Sequence, residues 1–266
     1  MNCSGLLQPV SESVLLAGEI LVLEWERKDG PRGQGDTAEV DAEIETLLRR
    51  RLLALLDCDF WGEETGCQMT GDTYCWVVDP NDGTRDFLLG RKGSAISVGL
   101  LRNFIPVLGV VYAPITADRG PDCIAWAEGY DNVMRNGREV PSCLRQQALA
   151  VGGHVLMSTS AAYKPELNAE LCSPAEVVPM PSIAYRLARV AVGDAVACAS
   201  LVPVSAHDVV GGHALLNGAN GVLVDQDGIP ITYDSPDRMT RASSRCFGGA
   251  PDACKDLVHR DWQRLF

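Results

Sequence analysis

The chain has 266 residues, 46% hydrophobic and 22% charged, with a formal net charge of -12. That length holds one large domain or two small ones around a substantial core. The acidic balance argues against a nucleic-acid polymer or an anionic membrane as partner, since both want a basic face. It leaves room for a small anionic ligand if metals supply positive charge locally.

The chain starts MNCSGLLQPVSESV, with no basic leader and no cleavable apolar core, so secretion is not expected. No apolar run reaches the roughly 18 residues of a membrane span; the longest cover 107–114 and 183–192. Residues 14–25 read as a helix. KDGPRGQGD, over 28–36, is a polar connector, and Asp36 at its end is placed to cap the next helix. Val40, Ile44, Leu47, Leu48, Leu52 and Leu55 then recur at helical spacing. Short strand-like runs follow at 75–78, 95–101 and 107–112. VMRNGREV, over 133–140, carries Asn-Gly between alternating residues, a hairpin signal.

Residues 154–159 and 195–200 read as strands with a helix over 183–192 between them. A further helix over 208–216 precedes a strand over 221–224. Mixed strands and helices imply an α/β or α+β layered protein. The boundary between halves is expected near 142–152, giving units of 1–145 and 146–266. Ten cysteines are spread thinly, none in C-x-x-C and none with histidine at zinc-like spacing. They read as free, reduced core thiols of a cytoplasmic protein.

CWVVDPNDGTRDFLLG, over 75–90, carries the most chemistry. An apolar run ends in Asp79 and Asp82, three residues apart in a tight turn. Adjacent acids repel, and burying them costs several kcal/mol each unless a cation joins them. Asp-Pro and Asp-Gly also make ordinary capped turns, so this pair alone leaves both readings open. Three other segments add acids. Glu63 and Glu64 follow Phe60-Trp61, with one of the two expected in solvent. Asp208 opens a glycine-bearing helix in AHDVVGGH, and Asp41 lies on the 40–55 helix. Four acids gathered by strand and helix ends would form an all-oxygen site, which suits a hard cation and Mg²⁺ above all. Gly83 and Thr84 can offer backbone N–H groups to a phosphate.

The run D-P-N-D-G-T, Asp79 to Thr84, resembles the first signature of the inositol monophosphatase family, D-P-x-D-G-T. Trp76-Val77-Val78 precede it as they do in the family. Gly62-Glu63-Glu64 matches the family's upstream G-E-E, and residues 93–114 match the stretch after the signature. Asp208-Val209-Val210-Gly211-Gly212 is similar to the second signature, W-D-x-A-A-G, in weakened form. The likeness runs piecewise from about residue 14 to about residue 227.

The resemblance implies an α-β-α-β-α sugar-phosphatase-type sandwich with the site between its halves. It implies Glu63, Asp79, Asp82 and Asp208 as ligands of two or three Mg²⁺ ions, joined by the backbone carbonyl of Asn81. Thr84 and Asp41, with Glu63, would orient and activate the attacking water. Gly83, Thr84, Asp82 and Asp208 would border the substrate. The implied reaction is hydrolysis of a small phosphomonoester without a phospho-enzyme, with lithium sensitivity and possible homodimers as family traits.

Some positions depart from the pattern. His207 stands for the usual Trp, Val209-Val210 for the small pair, Ala38 for a Thr, and Gly218–Gly221 reads G-A-N-G for E-A-G-G. Leu201 falls where inositol-specific members carry a sugar-binding Glu. Arg85-Asp86-Phe87 is similar to the family's 3′(2′),5′-bisphosphate nucleotidases, and Arg238, Arg241 and Arg245 could meet a second phosphate. An inositol- or sugar-type monophosphate is the expected substrate, with 3′-phosphoadenosine 5′-phosphate as the alternative. A metal- and phosphate-binding sensor that has lost catalysis is the further alternative. An aspartyl-phosphate mechanism wants D-x-D-x-T, and here the acids are three apart.

Overall fold

The computed structural model describes residues 3–266; Met1 and Asn2 lie outside the described residues. Two large sheets organise the described residues, beside a two-stranded hairpin of Gly33–Gln34 and Thr37–Ala38. The larger has eight strands, in the spatial order Arg138–Val140, Val133–Arg135, Asp122–Ala127, Ile105–Ala113, Ala95–Arg102, Tyr74–Asp82, Asp59–Gly62, Cys67–Gln68. Its neighbours are antiparallel, except that Asp59–Gly62 runs parallel to Tyr74–Asp82. The smaller is mixed, in the order Glu176–Pro179, His154–Met157, Ala197–Ser200, Cys246–Gly249, Val222–Asp225.

Helices fill three layers around them. Ser4–Trp25 and Glu39–Leu55 cover the outer face of the large sheet. Ile183–Ala191 and Ala206–Gly218 lie between the sheets, and Pro165–Cys172 and Pro251–Val258 pack on the small sheet. The result is the expected α-β-α-β-α sandwich. The Tyr74–Asp82 strand explains why its sequence barely alternates. Trp76 and Val78 pack toward the outer helices, while Cys75 and Val77 pack toward the inner layer, so both faces want apolar residues.

Several elements differ from their sequence reading. The first helix starts at Ser4, not near residue 14, with Pro9 inside it. A proline normally breaks a helix interior. Here Leu7, Val10, Val14, Ala17 and Leu21 form one buried stripe across it, and that burial outweighs the lost backbone bond. The lengthened helix, 22 residues with mean hydropathy 1.5 over its most apolar 18-residue window, meets the length and composition of a membrane span. Its buried stripe lies on the large sheet. Asp36 caps nothing: it sits exposed in a turn, and Ala38 occupies the N-cap of the next helix. The Asn136-Gly137 hairpin forms as expected, with φ of 50° and 75°. All ten cysteines are free, but Cys67 and Cys143 are exposed and are not core thiols.

One packing feature positions the site. Gly99 and Gly109 face each other across neighbouring strands, and the Ala206–Gly218 helix lies directly on them. A Cβ on Gly109 would fall 2.2 Å from the Gly211 carbonyl oxygen, and one on Gly99 would fall 2.5 Å from Val210 Cγ1. On the helix, a Cβ on Gly211 would meet Ser97 Oγ, also at 2.5 Å. The bulky Val209-Val210 pair is therefore accommodated because glycines on both sides let backbone meet backbone. Gly109→Ala is expected to lower unfolding free energy by about 1–3 kcal/mol through overpacking, read as a shift of the urea midpoint at unchanged slope.

Candidate active site

Three aspartates converge where the end of the Tyr74–Asp82 strand meets the start of the Ala206–Gly218 helix. One oxygen each from Asp79, Asp82 and Asp208 lies within 4.8 Å of the other two. Asp79 and Asp82 end the Tyr74–Asp82 strand, whose pairing slips between them, so the chain bends and turns both acids inward. Asp208 arrives from the inner helix layer. Glu63, just after the parallel Asp59–Gly62 strand, reaches the cluster from the side and lies beside Asp79. Glu63 and its neighbour Glu64 are both exposed.

Helix N-termini hold three of the acids. Asp208 is the third residue of its helix and accepts the Ser205 backbone N–H in a capping box. Asp41 holds the equivalent third position of the Glu39–Leu55 helix. Asp82 Oδ2 accepts Ser182 Oγ at 2.5 Å and Ala184 N at 2.6 Å, at the start of the Ile183–Ala191 helix. Each carboxylate sits where the helix dipole favours negative charge. The Ile183–Ala191 helix is itself pinned by Tyr185, which donates to the buried Asp122 at 2.6 Å.

Asp41 connects directly to the signature turn. Asn81 Nδ2 donates to Asp41 Oδ1 at 3.0 Å, and Thr84 Oγ1 lies 3.0 Å from Asp41 Oδ2 and 2.8 Å from the Asn81 carbonyl. Asn81 N donates to Asp79 Oδ1 at 2.9 Å. Gly83 has φ 94°, a left-handed conformation that glycine adopts without strain, and it swings the chain from strand into the Thr84–Leu88 helix.

The electrostatics describe a cluster of acids without enough positive charge. Burial, then Glu63, Asp82 and Asp208, drive the Asp79 carboxyl well above its usual range. Burial and Asp208 push Glu63 up to about 8. Asp82 and Asp208 rise to about 6, chiefly by burial, although donors at Ser182 and Ala184 and at Ser205 work against it. Burial also lifts Asp41 to about 6. One buried cation stands behind the cluster: Arg186, held by the Ser182 and Ala199 carbonyls.

Hard oxygen donors, mutual repulsion and the orphaned buried oxygen of the Asn81 side chain fit a divalent cation. His207 Nε2 lies 3.9 Å from Glu63 Oε1 and 4.0 Å from Asp208 Oδ1, so this departure places an imidazole at the rim of the site. Of the Arg85-Asp86-Phe87 triplet, Asp86 pairs with Arg91 and Thr159, Phe87 is buried against Trp25, and Arg85 is exposed. Arg238 and Arg241 bond within their own loop and Arg245 lies over Phe266.

Sequence reasoning missed Ser182, Arg186 and Glu45. An arginine inside the apolar run IAYRLARVA was the available signal for Arg186. For Ser182 it was a serine opening that run. Beside the site, a cavity of about 270 Å³ is lined by Ser158, Ser160, Lys164, Leu201 and Val202. Thr159, between its two serines, bonds to Asp86 two residues beyond Thr84. A larger cavity, about 550 Å³, lies between the first helix and the 122–137 strands, among mostly apolar groups and away from the acids.

The model of the inositol monophosphatase family matches residues 8–260. The inositol-1-monophosphatase ImpA of Mycolicibacterium smegmatis is 28% identical over 250 residues, 89% of this chain and 87% of that protein. The probable inositol 1-monophosphatase ImpA of Mycobacterium tuberculosis is 33% identical over 125 residues; this match spans 45% of the chain and about half, 46%, of that relative's length. Among solved structures, an inositol monophosphatase from Anabaena superposes with a TM-score of 0.75 at 21% identity, covering 97% of this chain and 95% of that one.

Proposed function

Because the chain belongs to the inositol monophosphatase family, we propose that it hydrolyses a small phosphomonoester at the Asp79, Asp82 and Asp208 cluster, with divalent cations of the Mg²⁺ type bound there. The observation that carries this reading is the convergence of three aspartate oxygens within 4.8 Å, beside Glu63 and with no charge balance of their own. Asp79, Asp82, Asp208, Glu63 and the Asn81 carbonyl would hold the cations. When bound, these would supply Lewis acidity toward the phosphoryl oxygens and the leaving oxygen.

The chain's own residues would do the rest. The Thr84 hydroxyl, shared between Asp41 and the Asn81 carbonyl, would orient the attacking water. Asp41 would take up the proton that the water gives up, through that hydroxyl. The backbone at Gly83 and Thr84 would receive the phosphate. Attack by water breaks the bond between phosphorus and the leaving oxygen, and the products are inorganic phosphate and an alcohol.

The cavity beside Thr159 would take the leaving group. Its lining mixes hydroxyl, amide and ammonium groups from Ser158, Ser160, Asn168 and Lys164 with apolar Leu201 and Val202. That suits a sugar or polyol phosphate. The nucleotide-bisphosphate alternative keeps only the exposed Arg85 as its support. The free thiols, eight of them buried, suit a reducing compartment. Phosphate release should be measured with Mg²⁺ on inositol 1-phosphate, fructose 1,6-bisphosphate, histidinol phosphate and 3′-phosphoadenosine 5′-phosphate. Turnover is expected to be fastest on a sugar or polyol phosphate. Preference for the nucleotide would overturn the substrate class, and no turnover on any of the four would overturn the proposed reaction.

A further inference from the structure

One face of the Glu39–Leu55 helix carries Asp41, Glu45 and Arg49, each four residues from the last, so the three side chains line up along the helix. Asp41 engages the signature turn through Asn81 and Thr84. Glu45, completely buried, engages the loop that begins at Glu63. Its Oε2 accepts the Glu64 N–H at 2.9 Å, and its Oε1 accepts both the Thr65 N–H and the Thr65 hydroxyl at 2.5 Å. Arg49 completes the grip, donating to the Thr65 carbonyl at 3.2 Å and the Gly66 carbonyl at 3.3 Å. Gly62 makes the approach possible, because a Cβ there would fall 2.1 Å from Glu45 Oε1.

We infer that Glu45 is a positioning residue for the cation site: it fixes the loop carrying Glu63 to the same helix that carries Asp41, so that one rigid element sets the spacing between the two. The inference rests on reading the acid cluster as a divalent-cation centre. Glu63 needs such a fixture. It is the least enclosed of the clustered acids, with 37% side-chain exposure against 23% for Asp208. Repulsion from Asp208, Asp82 and Glu64 acts to drive it outward. Glu45 bonds the backbone on the far side of Glu63, where it can fix the backbone that carries Glu63 without competing for its carboxylate. Carboxylates behind a metal site commonly orient the groups that touch the ion, and their loss weakens binding about 10- to 100-fold.

The test uses Mn²⁺ as a spectroscopic probe. Binding to the full chain is followed by the electron paramagnetic resonance of free Mn²⁺, far below each variant's unfolding midpoint. Glu45→Gln keeps the volume but turns an amide N–H₂ toward a backbone N–H. It is expected to weaken at least one Mn²⁺ about tenfold or more, and Gly62→Ala, which crowds the contact from the other side, should do the same. Asp59→Asn is the control for a merely structural carboxylate. Asp59 is equally buried at the other end of the same strand and accepts the Thr70, Gly71 and Asp72 N–H groups. It should lower the melting temperature and leave Mn²⁺ binding unchanged. If Glu63→Gln loses an ion while Glu45→Gln and Gly62→Ala bind as the parent does, the positioning role is wrong. If the parent binds no Mn²⁺, the reading of the cluster fails and takes the inference with it.

Discussion

Asp79→Asn is expected to lower metal-dependent phosphate release by on the order of 10³-fold or more, because it removes a cation ligand and a transition-state charge at once. The same substitution is expected to stabilise the metal-free protein at pH 8. Asp79 is buried among Glu63, Asp82 and Asp208, and every one of them opposes its ionisation. An asparagine of the same shape keeps an oxygen to accept the Asn81 N–H and gains an amide N–H₂ that can donate to Glu63, while the repulsion is relieved. Thermal melts of the chelated parent and variant, run beside the phosphate assay, check both halves. A variant that loses turnover and also melts earlier would mean that the acids do not strain the fold.

Metal-free stability should fall as pH rises from about 5 to 8, the reverse of the usual trend for carboxylates. Glu63 stands near 8, and Asp41, Asp82 and Asp208 near 6, all above their ordinary values. A group whose folded pKa is raised contributes stability that is complete below its unfolded pKa and disappears as pH climbs through the folded one. Between those limits the folded protein carries more protons than the unfolded chain, so each upward step in pH favours unfolding. A divalent cation displaces those protons. The rise in melting temperature on adding Mg²⁺ should therefore be small at pH 5 and large at pH 8. Melts across this range with chelator or with Mg²⁺ give the two curves. An Mg²⁺ effect that does not grow with pH would contradict the charge accounting.

What could be read from the sequence was the chemistry that lies close together along it. Asp79, Asn81, Asp82, Gly83 and Thr84 sit within six residues, and their turn needs no distant partner to be recognised. Asp41 was placed through the family resemblance although Ala38 replaces the usual Thr, and its carboxylate meets Asn81 and Thr84. The residues that hold these acids were not legible, because their partners are far away along the chain. Glu45 acts on residues 64 and 65, about 20 positions on, and Ser182 meets Asp82 across 100 positions. The short Glu176–Pro179 and Cys246–Gly249 strands were missed for a related reason. Each is four residues long, and one contains two glycines, so only pairing with neighbours makes it a strand. The first helix was read short, from residue 14, because the burial of Leu7 and Val10 becomes visible only against the large sheet.

The most direct measurement is phosphate release from inositol 1-phosphate and fructose 1,6-bisphosphate by chelator-stripped protein as Mg²⁺ is returned, with Asp208→Asn run beside the parent. The account predicts no release without the cation, restoration with it, and almost none in the variant at any concentration. Release that ignores Mg²⁺, or that survives in Asp208→Asn, would show that the three converging aspartates are not where the reaction happens.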